Sequence, residues 1–392
     1  MDDNQTLRAI KTVYPYTVKV RRTLHAHPEL SGHEVKTASF VAAELRNLGL
    51  KPKFYLRKTA VVCRIDNGPG TCVALRADLD ALPVEEKTGL SFSSRNRGVM
   101  HACCHDLHTA ILLGVARVLA QSRKRWSGSV VLIFQPSEEL EPGGALGLIK
   151  AGAFPADASA VFGLHVNPEL QTGFIGLRGG SDFAGVLNFS VTVHGQGGHA
   201  AAPHSTVNPI TSAADMINRL SKLAEQKIKQ GALVAVGVVH AGSRSNIIPD
   251  CAVFHGTVRF HSKNMGRVIR KQVNGLIADA AQYNASQAVI KFTPSYPPNW
   301  NDHGLTARMK KQYQSLMGRD KVVERKQPVY YAEDFAYYQE KIPGLFIHLG
   351  VAAARKTRPE SLHNARFSPD EFAMKTGMLA HIAFISDQCG IR

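Results

Sequence analysis

The sequence predicts an α/β fold in two parts. A larger α/β domain takes residues 1–183 and 297–392, and a smaller ferredoxin-like α+β unit, residues 184–296, is inserted into it. Three observations carry this. Apolar, β-branched segments alternate with helical periodicity through the first half of the chain, the pattern of a largely parallel sheet with helices on its faces. Around residue 183 the pattern changes to period-two strands and helices in the order βαββαβ. After Pro294-Ser295-Tyr296-Pro297-Pro298, which reads as a linker, helix and strand signals resume.

Each element follows from local pattern. Residues 5–50 read as largely helical, with Leu7, Ile10, Val13 and Tyr14 on one face, a break at the Pro28-Glu29-Leu30-Ser31-Gly32-His33-Glu34 segment, and helical spacing again from Thr37 to Leu48. Segments 59–65 and 71–77 read as strands around the Asn67-Gly68-Pro69-Gly70 turn. The second leads into Asp78-Leu79-Asp80, and acidic residues just past a strand's carboxyl end are where open α/β sheets build their sites. Leu107 to Leu119 reads as a helix. Ser129 to Gln135 reads as a strand that delivers Pro136-Ser137-Glu138-Glu139, and Ala160 to Val166 as a strand that carries His165. In the inserted unit, strands are expected at 186–194, 233–239, 252–259 and 288–292, with helices at 209–229 and 268–283. Further helices at 305–317, 335–340 and 369–387 and a strand at 345–350 complete the larger domain.

Composition narrows the class. A chain of 392 residues is long enough for two domains, and 44% hydrophobic with 20% charged residues is ordinary for a globular protein, which excludes disordered and fibrous classes. No apolar run reaches the roughly 20 residues of a membrane span, so no membrane partner is expected. The start, Met1-Asp2-Asp3-Asn4-Gln5, has no apolar signal core, so a cytoplasmic location is expected. The six cysteines then read as free thiols. The net charge of +16 invites a nucleic-acid reading. Yet Arg21-Arg22, Arg123-Lys124-Arg125 and Arg270-Lys271 are short and lack interleaved aromatics, so a solvated basic surface that helps draw in anionic small substrates is the better reading.

The chemistry centres on Met100-His101-Ala102-Cys103-Cys104-His105-Asp106-Leu107-His108-Thr109-Ala110, directly before an apolar helical run. One residue separates Cys103 from His105, so on a loop or a first helical turn both can reach one ion, and thiolate with imidazole suits Zn²⁺ or another borderline transition metal. A buried cysteine acting as a small hydrophobe is the competing reading for this stretch alone. Glu139, His165 and His363 supply further donors at separated points, three strands each ending in a candidate ligand or acid. Together the set suits one or two divalent ions. Of the adjacent glutamates, one can bind metal while Glu138 stays free to take a proton from water and pass it to a leaving amine. Asp80 can orient a ligand histidine or simply cap a turn.

These stretches, together with Arg76-Ala-Asp-Leu-Asp-Ala-Leu-Pro83, Gly163-Leu-His-Val166, Gly195-Gln-Gly-Gly-His-Ala-Ala-Ala-Pro-His204, Ser245-Asn-Ile-Ile-Pro-Asp250 and Glu333-Asp-Phe335, resemble one family in its own order. It is the amidohydrolase branch of the aminoacylase/carboxypeptidase-type metallopeptidases, which includes hippurate hydrolases, auxin-conjugate hydrolases and N-acetyl-diaminopimelate deacetylases. The resemblance implies a metallopeptidase-like catalytic domain with an inserted lid domain that commonly dimerises, hence a homodimer or higher homo-oligomer. It puts Cys103, His105, Glu139, His165 and His363 on the metal ligands and Glu138 on the general base. His199 falls on a lid histidine that helps polarise the scissile carbonyl, and Asn246 and Arg259 fall where relatives hold carbonyl or carboxylate groups. An exposed strand-end arginine is the alternative for Arg259.

The sequence departs from the family in three places. Cys104 stands where the family usually has glycine, Leu140-Glu141-Pro142 interrupt a typically glycine-rich segment, and Tyr330-Tyr331-Ala332 replace small residues. The expected activity is metal-dependent hydrolysis of the C–N bond of an N-acyl amino acid or a related small carboxylated amide. Zn or Mn is the expected ion, with Co or Ni also compatible. A dipeptidase or carboxypeptidase, or an aminohydrolase acting on an amino-aromatic acid, is the alternative within the class. A non-catalytic basic binding protein is the alternative outside it, and the complete donor set with Glu138 argues against that.

Overall fold

The computed structural model describes residues 3–353 and 360–389. Met1 and Asp2 of the polar start lie outside the described residues. The chain divides into two compact units. The first comprises Met1–Gly180, Trp300–Gln327 and Asp334–Arg392, and the second Ser181–Asn299 with Pro328–Glu333.

In chain order the elements are helices α1 (Asp3–His25) and α2 (Val35–Asn47), strands β1 (Lys53–Tyr55), β2 (Ala60–Asn67) and β3 (Cys72–Asp78), helix α3 (His105–Gln121), strand β4 (Gly128–Gln135), helix α4 (Gly144–Lys150), and strands β5 (Ala158–Gln171) and β6 (Ile175–Leu177). There follow β7 (Gly185–His194), α5 (Pro209–Lys227), β8 (Ala232–Ala241), β9 (Cys251–Phe260), α6 (Lys263–Tyr283) and β10 (Gln287–Pro294) in the second unit. The chain closes with α7 (His303–Met317), β11 (Val322–Glu324), α8 (Ala336–Gln339), β12 (Gly344–Ala352) and α9 (Ala373–Cys389).

In the first unit, the described residues form an eight-stranded sheet in the order β1-β2-β4-β3-β5-β12-β6-β11. Its centre is parallel: β3 pairs in parallel with β4 and with β5, and β5 with β12. Strands β3 and β4 are buried along their whole length, as strands covered on both faces must be. Helix α3 is buried on nearly every side for the same reason and packs with α1 and α9 in one apolar core. The 59–65 and 71–77 segments are strands as expected but not partners. Strand β4 lies between them, antiparallel to β2 and parallel to β3. Just before β3, Thr71 C=O accepts the Ser129 N–H of β4 at 2.9 Å.

The second unit is an antiparallel sheet in the order β8-β9-β7-β10, with α5 and α6 packed on it over a separate core. Numbered within the unit this is 2-3-1-4, the ferredoxin-like order. Its helices are capped as their sequences suggest. Asn208 accepts from the Ile210 N–H ahead of Pro209, and Ser262 accepts from the Met265 N–H. Pro328–Glu333 returns to this unit through bonds from Val329 N–H to Asp182 C=O (2.8 Å) and from Ala184 N–H to Tyr331 C=O (2.8 Å).

Candidate metal centre

Because β3, β4 and β5 run in parallel, the residues beyond their carboxyl ends gather at one edge of the first unit. Asp78 closes β3, and Asp80 follows it. Pro136–Glu139 follows β4, His165 lies within β5, and Cys103-Cys104 lead directly into α3. His363 comes from the segment before α9, and its N–H donates to Ala102 C=O at 3.0 Å, which ties it to the cysteine loop.

The donor atoms of Cys103, His105 and His165 lie within 4.8 Å of one another, as do those of Cys103, Glu139 and His363, and those of His105, Glu138 and Glu139. All five expected ligands and Glu138 therefore meet in one cluster with Cys103 in two of the groups. Cys103 Sγ is 3.3 Å from His165 Nε2, and Glu139 Oε1 is 3.1 Å from His363 Nε2 and 4.0 Å from His105 Nε2. His363 is half exposed, while Cys103, His105, Glu138 and His165 are buried.

The hydrogen bonds fix which nitrogen faces the cluster. His165 Nδ1 donates to Val166 C=O at 2.8 Å, leaving the Nε2 lone pair towards Cys103. His105 Nδ1 is held by Asp80 Oδ1 at 3.2 Å, and the same carboxylate accepts Ser31 Oγ at 2.7 Å and the Glu139 N–H at 3.0 Å. His105 Nε2 is buried without a hydrogen-bond partner, 3.7 Å from Asp78 Oδ2. His108 differs. Its Nε2 accepts the Val166 N–H at 3.1 Å and its Nδ1 donates to Asp78 Oδ1 at 2.6 Å, so both nitrogens are spent and His108 supports the loop.

The electrostatics suit a divalent cation. Burial pushes the Cys103 thiol well up, and the Glu139 and Glu138 carboxylates push it further. Burial and the neighbouring His108 hold His165 well below the usual histidine range. Burial also works against charge on His105, yet the Asp78 and Asp80 carboxylates outweigh it and raise this histidine to about 10. A thiol, imidazoles with aimed lone pairs, an orphaned ring nitrogen and four carboxylates form the donor set of a borderline divalent ion, so the residues fit one. Three non-glycine residues around the cluster adopt left-handed backbone: Cys104 (φ 63°), Ser137 (φ 55°) and His363 (φ 64°). Strain of this kind concentrates at functional sites.

His199, Asn246 and Arg259 lie in the second unit. Gly198–His199 pairs antiparallel with Ile247–Ile248, and Ala200 N–H donates to Asn246 C=O at 3.1 Å, which brings His199 and Asn246 side by side. His199 is exposed, and its Nδ1 accepts from the Ala201 N–H at 3.1 Å. Arg259 lies on β9 opposite Val186 and Leu233, alternating with the buried Val258, so it belongs to the sheet face away from the helices. Of the two departing segments, Leu140 is exposed. Tyr330 is occupied within the second unit: its ring lies against His261 (4.7 Å) and its hydroxyl donates to Ile228 C=O (2.9 Å), while Tyr331 is exposed. Ligand types alone did not reveal Ser31, Asp78 and His108 as supports. For His108 the signal was its place in the same cysteine–histidine stretch.

Residues 74–384 match the family described as Peptidase family M20/M25/M40. The chain belongs to that family. It is similar to thermostable carboxypeptidase 2 of Saccharolobus solfataricus (36% identical over 378 residues, 95% of each chain) and to N-acetylcysteine deacetylase of Bacillus subtilis (36% identical, covering 93% of this chain and 95% of that one). Its fold is similar to that of a Bacillus subtilis protein described as a dinuclear metal-binding peptidase of the M20 family. That match has a TM-score of 0.83 and 33% identity, and covers 96% of this chain and 98% of that one. The family member described here is a metal-dependent hydrolase acting on C–N bonds, a catalytic unit with an inserted lid unit.

Proposed function

We propose that the chain hydrolyses the amide of an N-acyl amino acid or a related small carboxylated amide. The observation that carries this is Glu138, a buried carboxylate with an oxygen within 4.8 Å of donor atoms of His105 and Glu139. Cys103, His105, Glu139, His165 and His363 would hold one or two divalent ions, and Asp80 would keep His105 in the tautomer that offers Nε2. A bound ion polarises an amide carbonyl and lowers the pKa of a water. Glu138 would take a proton from the attacking water and hand it to the departing amine. His199 supports the developing oxyanion, and Asn246 and Arg259 hold the substrate's carbonyl and carboxylate, for which a guanidinium fork is suited. The thiolate favours Zn²⁺ or Co²⁺ on softness grounds, with Mn²⁺ and Ni²⁺ to be tested beside them.

A carboxypeptidase is the second reading, favoured by the 36% identity to the archaeal carboxypeptidase. We place the enzyme in the cytosol as a homo-oligomer. The six free thiols support the first, and exposed Val238 and Val239 on the edge strand β8 support the second.

The test is Glu138→Gln assayed on N-acyl amino acids, dipeptides and amino-aromatic acids, with metal content measured alongside. The variant should keep its metal and lose at least about 100-fold in kcat. Unchanged turnover would remove Glu138 as the base, and the class of amide cleaved decides between deacylase and carboxypeptidase.

A further inference from the structure

The connection between α1 and α2 carries no candidate ligand, yet it touches the loops that do. Glu29 C=O accepts the Ala81 N–H at 2.8 Å, and Ser31 Oγ donates to Asp80 Oδ2 at 2.7 Å. Glu34 is wholly buried, a costly place for a carboxylate without partners. Its Oε1 accepts the Ser137 N–H at 2.8 Å, the Gly32 N–H at 2.9 Å and Ser137 Oγ at 3.4 Å, while Oε2 has no hydrogen-bond partner. Ser137 stands between the end of β4 and the Glu138-Glu139 pair, and holds a left-handed φ of 55° that a serine does not choose freely. The strand ladder has ended at Gln135, so Glu34 is what satisfies the Ser137 N–H.

We infer that Glu34 is a positioning residue: through Ser137 it fixes where Glu138 and Glu139 stand relative to Cys103, His105 and His165. The inference rests on the metal-hydrolase reading above and assigns a role outside the donor set. Removing the acceptor leaves a part-buried N–H without its bond and frees the strained turn, and the displacement falls on the glutamate pair, while Cys103 and His165 keep their own contacts.

The experiment is Co²⁺ titration of the full chain, stripped with chelator, followed by absorption and paired with kcat and KM. Glu34→Ala should keep the thiolate-to-cobalt band of Cys103, bind the ion sharing Glu139 about tenfold more weakly and lose about tenfold in kcat, with KM within about twofold. Glu34→Gln keeps an oxygen for Ser137 and puts its amide where Oε2 has no partner, so it should restore both. Glu34→Asp keeps the charge and withdraws the acceptor, so it should behave like Glu34→Ala, and this pair decides the matter if Glu34→Ala does not fold. A wild-type cobalt titration and kcat in Glu34→Ala would overturn the inference. So would Glu34→Asp functioning where Glu34→Gln fails, because charge rather than the bond would then be at work. A wild-type chain that binds cobalt but cleaves none of the amides would defeat the hydrolase reading and leave the cobalt comparison standing.

Discussion

Cys104 is wholly buried at φ 63°, a backbone conformation that favours glycine, so its side chain is kept against a backbone preference. A left-handed non-glycine residue costs about 1–2 kcal/mol, which offsets much of what burying a small thiol contributes. Urea unfolding should therefore find Cys104→Gly within about 1 kcal/mol of the parent, whereas Cys104→Val, branched at a position that rejects branching, should cost about 3 kcal/mol or more. His363, at φ 64° and half exposed, is the ligand candidate with the least packing around it, and His363→Ala should lower bound metal with little loss of thermal stability. The candidate donor residues stood out in the sequence, because thiol, imidazole and carboxylate announce their chemistry, and the structure brings their donor atoms within 4.8 Å of one another in groups of three. Their supports were not. Ser31 and Glu34 earn their roles only when folding brings particular oxygen atoms within 3 Å of Asp80 and Ser137.

At the level of elements, strand ends were the readable feature. Three apolar segments each ending in an acid or a histidine implied a shared edge, and the parallel pairing of β3, β4 and β5 provides it. Partnership was harder to read. A short turn of glycine and proline looks alike whether its flanking strands pair with each other or admit a third, and here β4, more than fifty residues further on, enters between them. The loop after β4 depends on one glycine. Gly144 N–H donates to Ser137 C=O at 3.1 Å, and a Cβ at Gly144 would stand 1.9 Å from Pro136 C=O, a backbone atom with nowhere to go. Gly144→Ala should shift the Pro136–Glu139 loop and cut kcat more than Gly275→Ala on α6, where a Cβ meets no atom within 4 Å. Parallel assays of the two variants check this.

Across the whole molecule, α1 is tied to the metal-loop helix by buried charge. Arg21 donates to Asp106 Oδ2 at 3.0 Å, and His25 lies between Asp106 (2.9 Å) and Glu86 (3.2 Å). Burial works against charge on His25, but the Asp106 carboxylate, with Glu86, more than reverses it and lifts the histidine to about 9. A histidine raised on folding stabilises fully below its unfolded value of 6.5, and that contribution disappears as pH climbs through about 9. The urea midpoint should fall between these limits in the parent and fall less in His25→Gln.

The division of the first unit has a further consequence. Its central pairing, β5 with β12, joins strands on either side of the whole second unit, and His363 follows β12. A ribosome must therefore deliver almost the entire chain before the large sheet can close, whereas most of the second unit has already been synthesised in one piece. Until then the edge of β5 that faces β12 has no permanent neighbour, and chaperone demand should peak late in synthesis. The same timing guards the chemistry: a polypeptide arrested before β12 carries Cys103, His105, Glu139 and His165 but lacks His363, so truncated products should neither fold the sheet nor assemble the hydrolytic centre.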